Sequence, residues 1–543
     1  MTMRAISKVR VFSVVSLLLS SLIFSIQGAS AAPLCDGKIP VNSCVGVTSD
    51  GAPYAMQVPA NFNGTVLIYS HGYRPNVDVP AGIPGYGGYK ITNTPETAPG
   101  QGSRDLTVTN YLLSKGYALA GSGFARQGWN ADSALATNKE LITTFKAKFT
   151  NTTKVMVWGQ SLGGIITQLM QEKYPDLVNV AAPLCVADNI SAELKMAGDF
   201  LWGFKVLFDP SIKAGNYSAG AAGYAESMGD LVKVFTVLGK LQAKITTNDW
   251  PDTASDLGKS LAADGVSARS ALLMLGLMSG VPAQSAHFDG ASGPKGPNEL
   301  TFAYGVSPAL AVLENGANAA ALAVLATHDL ELQTGGAVFD NTKTNYASRV
   351  VSSSITYGAA LGGETGVAKL LKAIAVAPRA TANSDAVAKL KTLAATTGKV
   401  NVPTIIMTGV NDPVTPAGAA KRLANIYAQQ YAAEKAAALK KVNTTGYVAP
   451  VNKQIVLWST SPTSWTKFDS NGLPITTTAA APGTNHCNFT NKQYLAVVNL
   501  MIEANSTGKV LKNGALNTLV RKAGNLSIGD ASYVELLKYY TDL

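Results

Sequence analysis

The feature that most constrains this chain is a serine between two glycines, where an apolar strand pattern meets a helical one. Residues 155–158 are apolar, Gly159-Gln160-Ser161-Leu162-Gly163 follows, and a helical pattern covers residues 165–173. The turn from strand to helix is too tight for a Cβ beside the serine, and it holds the serine in a strained conformation that exposes its hydroxyl. The sequence therefore predicts Ser161 as a catalytic nucleophile rather than part of an ordinary glycine turn.

A serine hydroxyl needs a base to take its proton, and neutral histidine is the usual base because its pKa is close to neutrality. Of four histidines, His486 lies on a loop between the last predicted strand and the last long helix. Asp412 follows a buried strand pattern at 402–408, and prolines fix the loop after it; an Asp-Pro turn without chemistry is the alternative. Ser161, Asp412 and His486 occur in the chain order Ser, Asp, His, which favours a catalytic triad.

Strand and helix patterns alternate from about residue 63 to 185, which indicates a parallel sheet covered by helices. From 189 to 397 the chain is rich in Ala, Leu and Gly and is mostly helical in pattern, and strand patterns return at 402 and 454. We predict four segments: a signal peptide at 1–31, a first core segment at 32–188, a large helical cap at 189–397 and a second core segment at 398–543.

The two core segments resemble α/β-hydrolases, which implies that fold: a mostly parallel sheet wrapped by helices, with the cap inserted. The acid loop at 409–416 is similar to that of secreted tripeptidyl aminopeptidases, whereas Gly-Gln-Ser-Leu-Gly-Gly resembles an esterase or lipase turn. His71-Gly72 resembles the oxyanion strand of the superfamily. This implies that the backbone N–H groups of Tyr73 and Leu162 stabilise the oxyanion, and that His71 has a structural role.

The N-terminus predicts export. A basic stretch with Arg4, Lys8 and Arg10 precedes an apolar run and an Ala29-Ser30-Ala31 cleavage site, as in a Sec-type signal peptide; an uncleaved anchor is the alternative. Cleavage would remove three cations and lower the formal charge from +10 to +7. We expect a secreted or cell-envelope protein with no stable membrane span after cleavage, and no nucleic-acid partner, because no basic run is interleaved with aromatics.

Four cysteines in an exported chain favour disulfides. Cys35 and Cys44 are close enough in sequence to form one loop, which leaves Cys185 with Cys487; two free buried thiols are the alternative for the second pair. Cys487 directly after His486 resembles the tannase and feruloyl-esterase pattern, in which a disulfide ties the histidine loop to the nucleophile. Those enzymes have the partner cysteine beside the serine, where this chain has Gln160.

These features predict a serine esterase that acts through an acyl-enzyme on a small-molecule or polymeric ester, with no metal and no cofactor. An exopeptidase is the first alternative, and Glu193, Asp199 and Asp289 are the cap carboxylates available to hold an amine. A non-catalytic binding protein is the second.

His287 and His328 are expected at the surface or in the substrate pocket. Five apolar cap residues are expected mostly in the cap core, and the alternative is that they line a substrate pocket. They are Trp202, Phe204, Met274, Met278 and Phe288.

Overall fold

A ten-stranded sheet runs through the computed structural model, which describes residues 32–290, 307–393, 396–442, 447–470, 474–510 and 514–529. The predicted signal peptide lies outside these residues. The strands are β1 (Leu34–Cys35), β2 (Val41–Val47), β3 (Pro53–Pro59), β4 (Thr65–Ser70), β5 (Ala118–Ser122), β6 (Lys154–Gln160), β7 (Val180–Leu184), β8 (Thr404–Gly409), β9 (Gln454–Ser459) and β10 (Leu526–Ser527).

The strand order is β1-β2-β3-β5-β4-β6-β7-β8-β9-β10. The six central strands β5, β4, β6, β7, β8 and β9 are parallel to one another, while β1, β2, β3 and β10 add antiparallel edges. Strands β4, β5, β7 and β8 are buried along their whole length, as expected for parallel strands covered on both faces. This topology is the predicted α/β-hydrolase fold.

The helices associated with the sheet cover both of its faces. They are α1 (Thr107–Ser114), α2 (Ala131–Lys148), α3 (Leu162–Lys173), α12 (Ala417–Leu439), α13 (Asn491–Thr507) and α14 (Gly514–Ala523), with a short 3-10 helix at Gln101–Ser103. Side chains of successive strand residues point to opposite faces. Val155 and Val157 accordingly pack against α2 and α3, and Met156 and Trp158 pack with α1 and α13.

Eight helices are described between β7 and β8, inside the interval that the sequence analysis assigns to a cap. They are α4 (Ile190–Leu207), α5 (Gly220–Ala243), α6 (Asp256–Ala263), α7 (Ala268–Ser279), α8 (Ser307–Thr334), α9 (Tyr346–Tyr357), α10 (Gly363–Val376) and α11 (Ser384–Leu393). Their apolar residues form a core of their own, which includes Trp202, Phe204, Met274, Met278 and Phe288. The exact domain boundaries stay a prediction.

Helix α8 alone among the described helices is long and apolar enough to cross a membrane by length and composition. In its most apolar window, 61% is buried inside the protein, and the helix packs against α4, α5 and α7. A buried core helix passes the same test. The packing of α8 is that of a core helix.

The antiparallel strands β2 and β3 were not predicted, since the sequence analysis begins the sheet at about residue 63. In β3, Tyr54, Met56 and Val58 are buried and alternate with less buried residues. This period of two is the signal of a strand that covers one face of a sheet. A disulfide joins Cys35 to Cys44 across β1 and β2, where the two residues are register partners.

Candidate active site

Ser161 lies between the end of β6 and the first residue of α3. Its backbone has φ 57° and ψ −120°, a conformation that costs a non-glycine residue energy and is typical of functional sites. A Cβ at Gly159 would lie 2.6 Å from the Ser70 carbonyl oxygen, and one at Gly163 would overlap the same atom. The glycines are therefore required because this turn packs directly against the end of β4.

The three residues of the predicted triad lie together. Ser161 Oγ is 3.0 Å from His486 Nε2, and His486 Nδ1 is 3.0 and 3.1 Å from the two carboxylate oxygens of Asp412. A carboxylate at Nδ1 fixes the proton on that nitrogen and leaves Nε2 to accept the serine proton. The arrangement can activate Ser161 as a nucleophile.

The Asp412 carboxylate is buried and accepts hydrogen bonds from several donors besides His486. The backbone N–H groups of Val414 and Thr415 donate at 2.9 Å, the Thr415 hydroxyl donates at 3.1 Å, and the backbone N–H of Cys487 donates at 3.0 Å. An ionised carboxylate only accepts hydrogen bonds. These donors therefore fix the position of the carboxylate and aim it at the imidazole.

A second disulfide joins Cys185, directly after β7, to Cys487. This is the pairing that the sequence analysis favours over free thiols, and it ties the residue after His486 to the sheet edge beside the nucleophile. The ligand atoms of Asp412, His486 and Cys487 lie within 4.8 Å of one another. Because the Cys487 sulfur is bonded to Cys185, it cannot act as the thiolate that a metal site would need.

Gln160 also links the nucleophile turn to the histidine loop. Tyr69 donates its hydroxyl proton to Gln160 Oε1 at 2.7 Å, and Gln160 Nε2 donates to the Tyr494 hydroxyl at 2.6 Å. The Tyr494 hydroxyl in turn lies 3.5 Å from the Cys487 carbonyl oxygen. Hydrogen bonds thus connect Gln160 to the histidine loop at the position where the tannase pattern has a cysteine.

The segment predicted to supply the oxyanion hole lies against the nucleophile. A Cβ at Gly72 would lie 3.4 Å from Ser161 Cβ, so Gly72 allows the backbone to approach the serine. Leu162 is the first residue of α3, and the first N–H groups of a helix have no acceptor within it. The roles of Tyr73 and Leu162 as donors to an oxyanion stay predictions.

His71 is buried, and its Nδ1 lies 2.7 Å from the Gly72 carbonyl oxygen. Burial, helped by the nearby Arg74 cation, lowers the pKa of His71 to about 3. The imidazole is therefore neutral near physiological pH and hydrogen-bonded within the loop. This agrees with the structural role expected for His71.

The cap supplies an aspartate that orders this loop. Asp329 on α8 accepts hydrogen bonds from Asn76 Nδ2 at 2.8 Å, from the backbone N–H of Trp129 at 2.6 Å and from the Tyr73 hydroxyl at 3.4 Å. Asp329 was not predicted as a site residue, because 256 residues separate it from Tyr73. A contact at that separation leaves no local sequence pattern.

A mostly apolar pocket opens beside Ser161, between the core and the cap. The core side includes Tyr73, Trp129, Leu162 and Val414, and the cap side includes Ile190, Leu194, Met196, Phe200, Val281, Leu322 and Leu330. The apolar cap residues singled out from the sequence are in the cap core instead.

The expectation that the cap histidines lie at the surface or in the substrate pocket is wrong for His328. His328 is neither at the surface nor in this pocket, since it is buried in the cap with its ring edge against Tyr217. His287 is half-buried, but its Nδ1 is 2.6 Å from Glu314 and its Nε2 is 2.9 Å from the Thr478 carbonyl oxygen. Both are held by packing inside the cap or between the cap and the loop before His486.

The three candidate carboxylates of the cap differ in their surroundings. Asp199 is paired with Lys195 at 2.8 Å and with Arg349 at 2.7 Å. Asp289 accepts from the backbone N–H groups of Trp465 and Thr466 at 2.6 and 2.8 Å. Of the three, Glu193 alone lines the pocket beside Ser161.

Comparison with known proteins gives structural neighbours only. No protein-family model matches the sequence, and no curated protein is significantly similar to it. The chain is similar to feruloyl esterase B from Aspergillus oryzae, with 12% identity, coverage of 91% of this chain and 89% of that chain, and a TM-score of 0.38. It is also similar to the rice cell wall degrading esterase LipA from Xanthomonas oryzae, with 12% identity, coverage of 76% and 84%, and a TM-score of 0.27.

A second Aspergillus oryzae structure, an esterase, has 11% identity, with 77% of this chain and 72% of that chain covered and a TM-score of 0.33. These values are low, so the assignment of the fold rests on the strand order and on the turn at Ser161. Together, the fold and the site define a chain of α/β-hydrolase fold in which serine, histidine and aspartate side chains lie within hydrogen-bonding distance beside an apolar pocket.

Proposed function

We propose that this protein is an exported serine hydrolase that cleaves carboxylic esters through an acyl-enzyme on Ser161. The observation that carries the proposal is the continuous contact from Ser161 Oγ through His486 to Asp412, at 3.0 Å for each step. A serine, a base and an orienting acid in that geometry are the general requirements of acyl transfer by a serine nucleophile.

In the first half-reaction, Ser161 Oγ attacks the ester carbonyl carbon while His486 Nε2 takes the serine proton. The tetrahedral oxyanion would accept hydrogen bonds from the backbone N–H groups of Tyr73 and Leu162. The imidazolium then donates its proton to the departing alcohol oxygen as the carbon–oxygen bond breaks. Asp412 stays ionised throughout and stabilises the positive imidazolium.

In the second half-reaction, water takes the place of the alcohol. His486 Nε2 removes a proton from the water, and the resulting hydroxide attacks the acyl carbon. Collapse of this second tetrahedral intermediate returns the proton to Ser161 Oγ and frees the carboxylic acid. The proposal needs no metal or organic cofactor, because the nucleophile, base and oxyanion donors all come from this chain.

The pocket favours an ester over a peptide with a free N-terminus. An aminopeptidase needs an ionised carboxylate to pair with the substrate's ammonium group. Asp199 and Asp289 are engaged within the cap, and Glu193 has a pKa raised well above its ordinary value by burial and by the negative charges of Asp188 and Asp412. A pocket wall that disfavours the charged form of Glu193, together with an apolar lining, therefore supports ester substrates.

Export is supported by the two disulfide bonds, since disulfides persist in oxidising compartments outside the cytosol. The signal-peptide pattern at residues 1–31 points to the same conclusion. A mass measurement of protein recovered from the medium or cell envelope tests both. The expected mass is that of a chain beginning at Ala32 with no free thiol; a chain that retains residues 1–31 would contradict cleavage.

The proposed activity can be tested with p-nitrophenyl esters beside aminoacyl p-nitroanilides. The wild-type protein should hydrolyse the esters, and Ser161→Ala should lower kcat at least about a thousandfold. Ser114→Ala is the matched control, because Ser114 is exposed at the end of α1 and should leave the rate unchanged. Faster cleavage of the nitroanilides would favour the peptidase alternative. Ester hydrolysis that survives Ser161→Ala would contradict the mechanism.

A further inference from the structure

Glu193 on α4 is the one carboxyl group among the residues described as lining the pocket beside Ser161. Both of its carboxyl oxygens are buried, and neither has a hydrogen-bond partner among the residues that the structure describes. Buried polar groups in folded proteins are almost always hydrogen-bonded, so an exception indicates a functional constraint or a missing partner. In a substrate pocket, a ligand can supply that partner.

In the part of the chain that the structure describes, the charged groups around Glu193 do not offer it a counterion. Asp188 pairs with Arg422 at 2.6 Å, and Asp412 pairs with His486. Lys195, two positions further along α4, is bound to both oxygens of Asp199 at 2.8 and 3.0 Å. The nearest charges felt by Glu193 are thus the two aspartates, which repel a second negative charge.

This environment selects the protonated form of the side chain. Burial is the largest cause of the raised pKa of Glu193, and the aspartates add to it. A protonated carboxyl has one O–H donor and a carbonyl acceptor, whereas an ionised one only accepts. A hydroxyl group, which both donates and accepts, matches a carboxylic acid at both of its oxygens.

We propose that Glu193 is a specificity-determining residue that binds a hydroxyl group on an otherwise apolar substrate chain. The inference rests on the proposed esterase function and names the substrate class more closely: esters with apolar chains that carry one hydroxyl at the depth of Glu193. The hydroxyl can be on the acyl chain or on the alcohol chain, and the two sources are separated by experiment.

The test compares kcat/KM for matched esters. For the acyl chain, p-nitrophenyl ω-hydroxyalkanoates of increasing length are compared with alkanoates one carbon longer, in which a methyl group replaces the hydroxyl. For the alcohol chain, butyrate monoesters of alkanediols are compared with simple alkyl butyrates. At one chain length, the kcat/KM of the wild type should be about tenfold or more higher for the hydroxylated ester than for its matched apolar ester. The apolar ester leaves the buried carboxyl of Glu193 without a hydrogen bond.

Two variants distinguish the role of the carboxyl. Glu193→Gln keeps a donor and an acceptor at the same depth and should retain most of the preference. Glu193→Leu removes both the donor and the acceptor, so it should lose the preference and hydrolyse the two esters of each matched pair with similar kcat/KM. Glu364→Leu is the control for removing a carboxyl from the cap, because Glu364 is exposed on α10, and it should keep the preference.

Three results would overturn the inference: a wild type without preference at every chain length, a preference that survives Glu193→Leu, or a preference for p-nitrophenyl ω-aminoalkanoates that Glu193→Gln abolishes. The last would mean that an ionised Glu193 binds an ammonium group. Failure of the proposed function looks different, since the wild type would then hydrolyse no ester in the panel.

Discussion

Removing the Cys185–Cys487 disulfide should impair turnover far more than removing Cys35–Cys44. The change is the double substitution Cys185→Ala with Cys487→Ala. Cys487 follows the proposed base directly, and the disulfide joins it to the residue after β7. Loss of this disulfide should therefore change the position of His486, and it should also raise the conformational entropy of the unfolded chain.

The structure sets the expected size of both effects. The disulfide spans 302 residues, and closing a loop of that length is worth about 6 kcal/mol in the chain-entropy model, although measured values are more often about 2–4 kcal/mol. The histidine loop keeps other contacts, such as the hydrogen bond from Asn411 N to the Gly483 carbonyl oxygen at 2.8 Å. The imidazole should thus shift rather than detach. A shift of about 1 Å costs roughly a hundredfold in rate, so kcat should fall about ten- to a hundredfold.

The assay measures kcat with a p-nitrophenyl ester and the free energy of unfolding in urea. The matched control is Cys35→Ala with Cys44→Ala, whose disulfide spans nine residues between edge strands. It should cost about 3 kcal/mol in the same model and leave kcat unchanged. An unchanged kcat in the Cys185 and Cys487 variant, with the fold intact, would refute the proposed clamp on His486. Equal losses of kcat in both variants would refute it too.

Three further predictions concern single side chains. Asp412→Asn should fold normally but lower kcat by about ten-thousandfold, because the imidazole loses its orienting charge. Circular dichroism checks the fold and kcat checks the turnover. Near wild-type turnover would mean that another residue is the acid. Asp329→Ala should lower kcat more than it raises KM, because the buried backbone N–H of Trp129 loses its acceptor and the loop carrying Tyr73 loosens. An unchanged kcat would show that Asp329 does not position that loop. Since the folded-state pKa of Glu193 is raised, its stabilising contribution is present below the ordinary value of 4.5 and is lost as the pH rises. Glu193→Gln should therefore become increasingly more stable than the wild type above that pH in urea titrations, and parallel curves would contradict the raised pKa.

The fold and the triad could be predicted because their signals are local. Gly159 and Gly163 around Ser161 report a turn whose geometry forbids a Cβ, and the buried strands β6 and β8 are continuous apolar runs. The chain order of the triad then follows from the topology. The period of two in β3 is also a local signal, but β3 lies before residue 63, where the predicted sheet begins.

The pocket could not be predicted in the same way. Whether an apolar residue of the cap faces the pocket or the cap core depends on how the helices pack. On α4, apolar residues that face the pocket and apolar residues that face the cap core belong to the same sequence pattern. Phe200 lines the pocket while Trp202 stacks on Tyr346 inside the cap. Likewise, nothing in the sequence separates Glu193 from Asp199, although among the described residues Glu193 has no hydrogen-bond partner and Asp199 has three partners.

The central claim, that Ser161 is the activated nucleophile, is tested most directly by labelling with a fluorophosphonate and mapping the adduct by mass spectrometry. The account predicts one adduct per chain, on Ser161, formed quickly in the wild type, much more slowly in His486→Ala and not at all in Ser161→Ala. An adduct on another serine, or labelling of Ser161 at the same rate without His486, would contradict it.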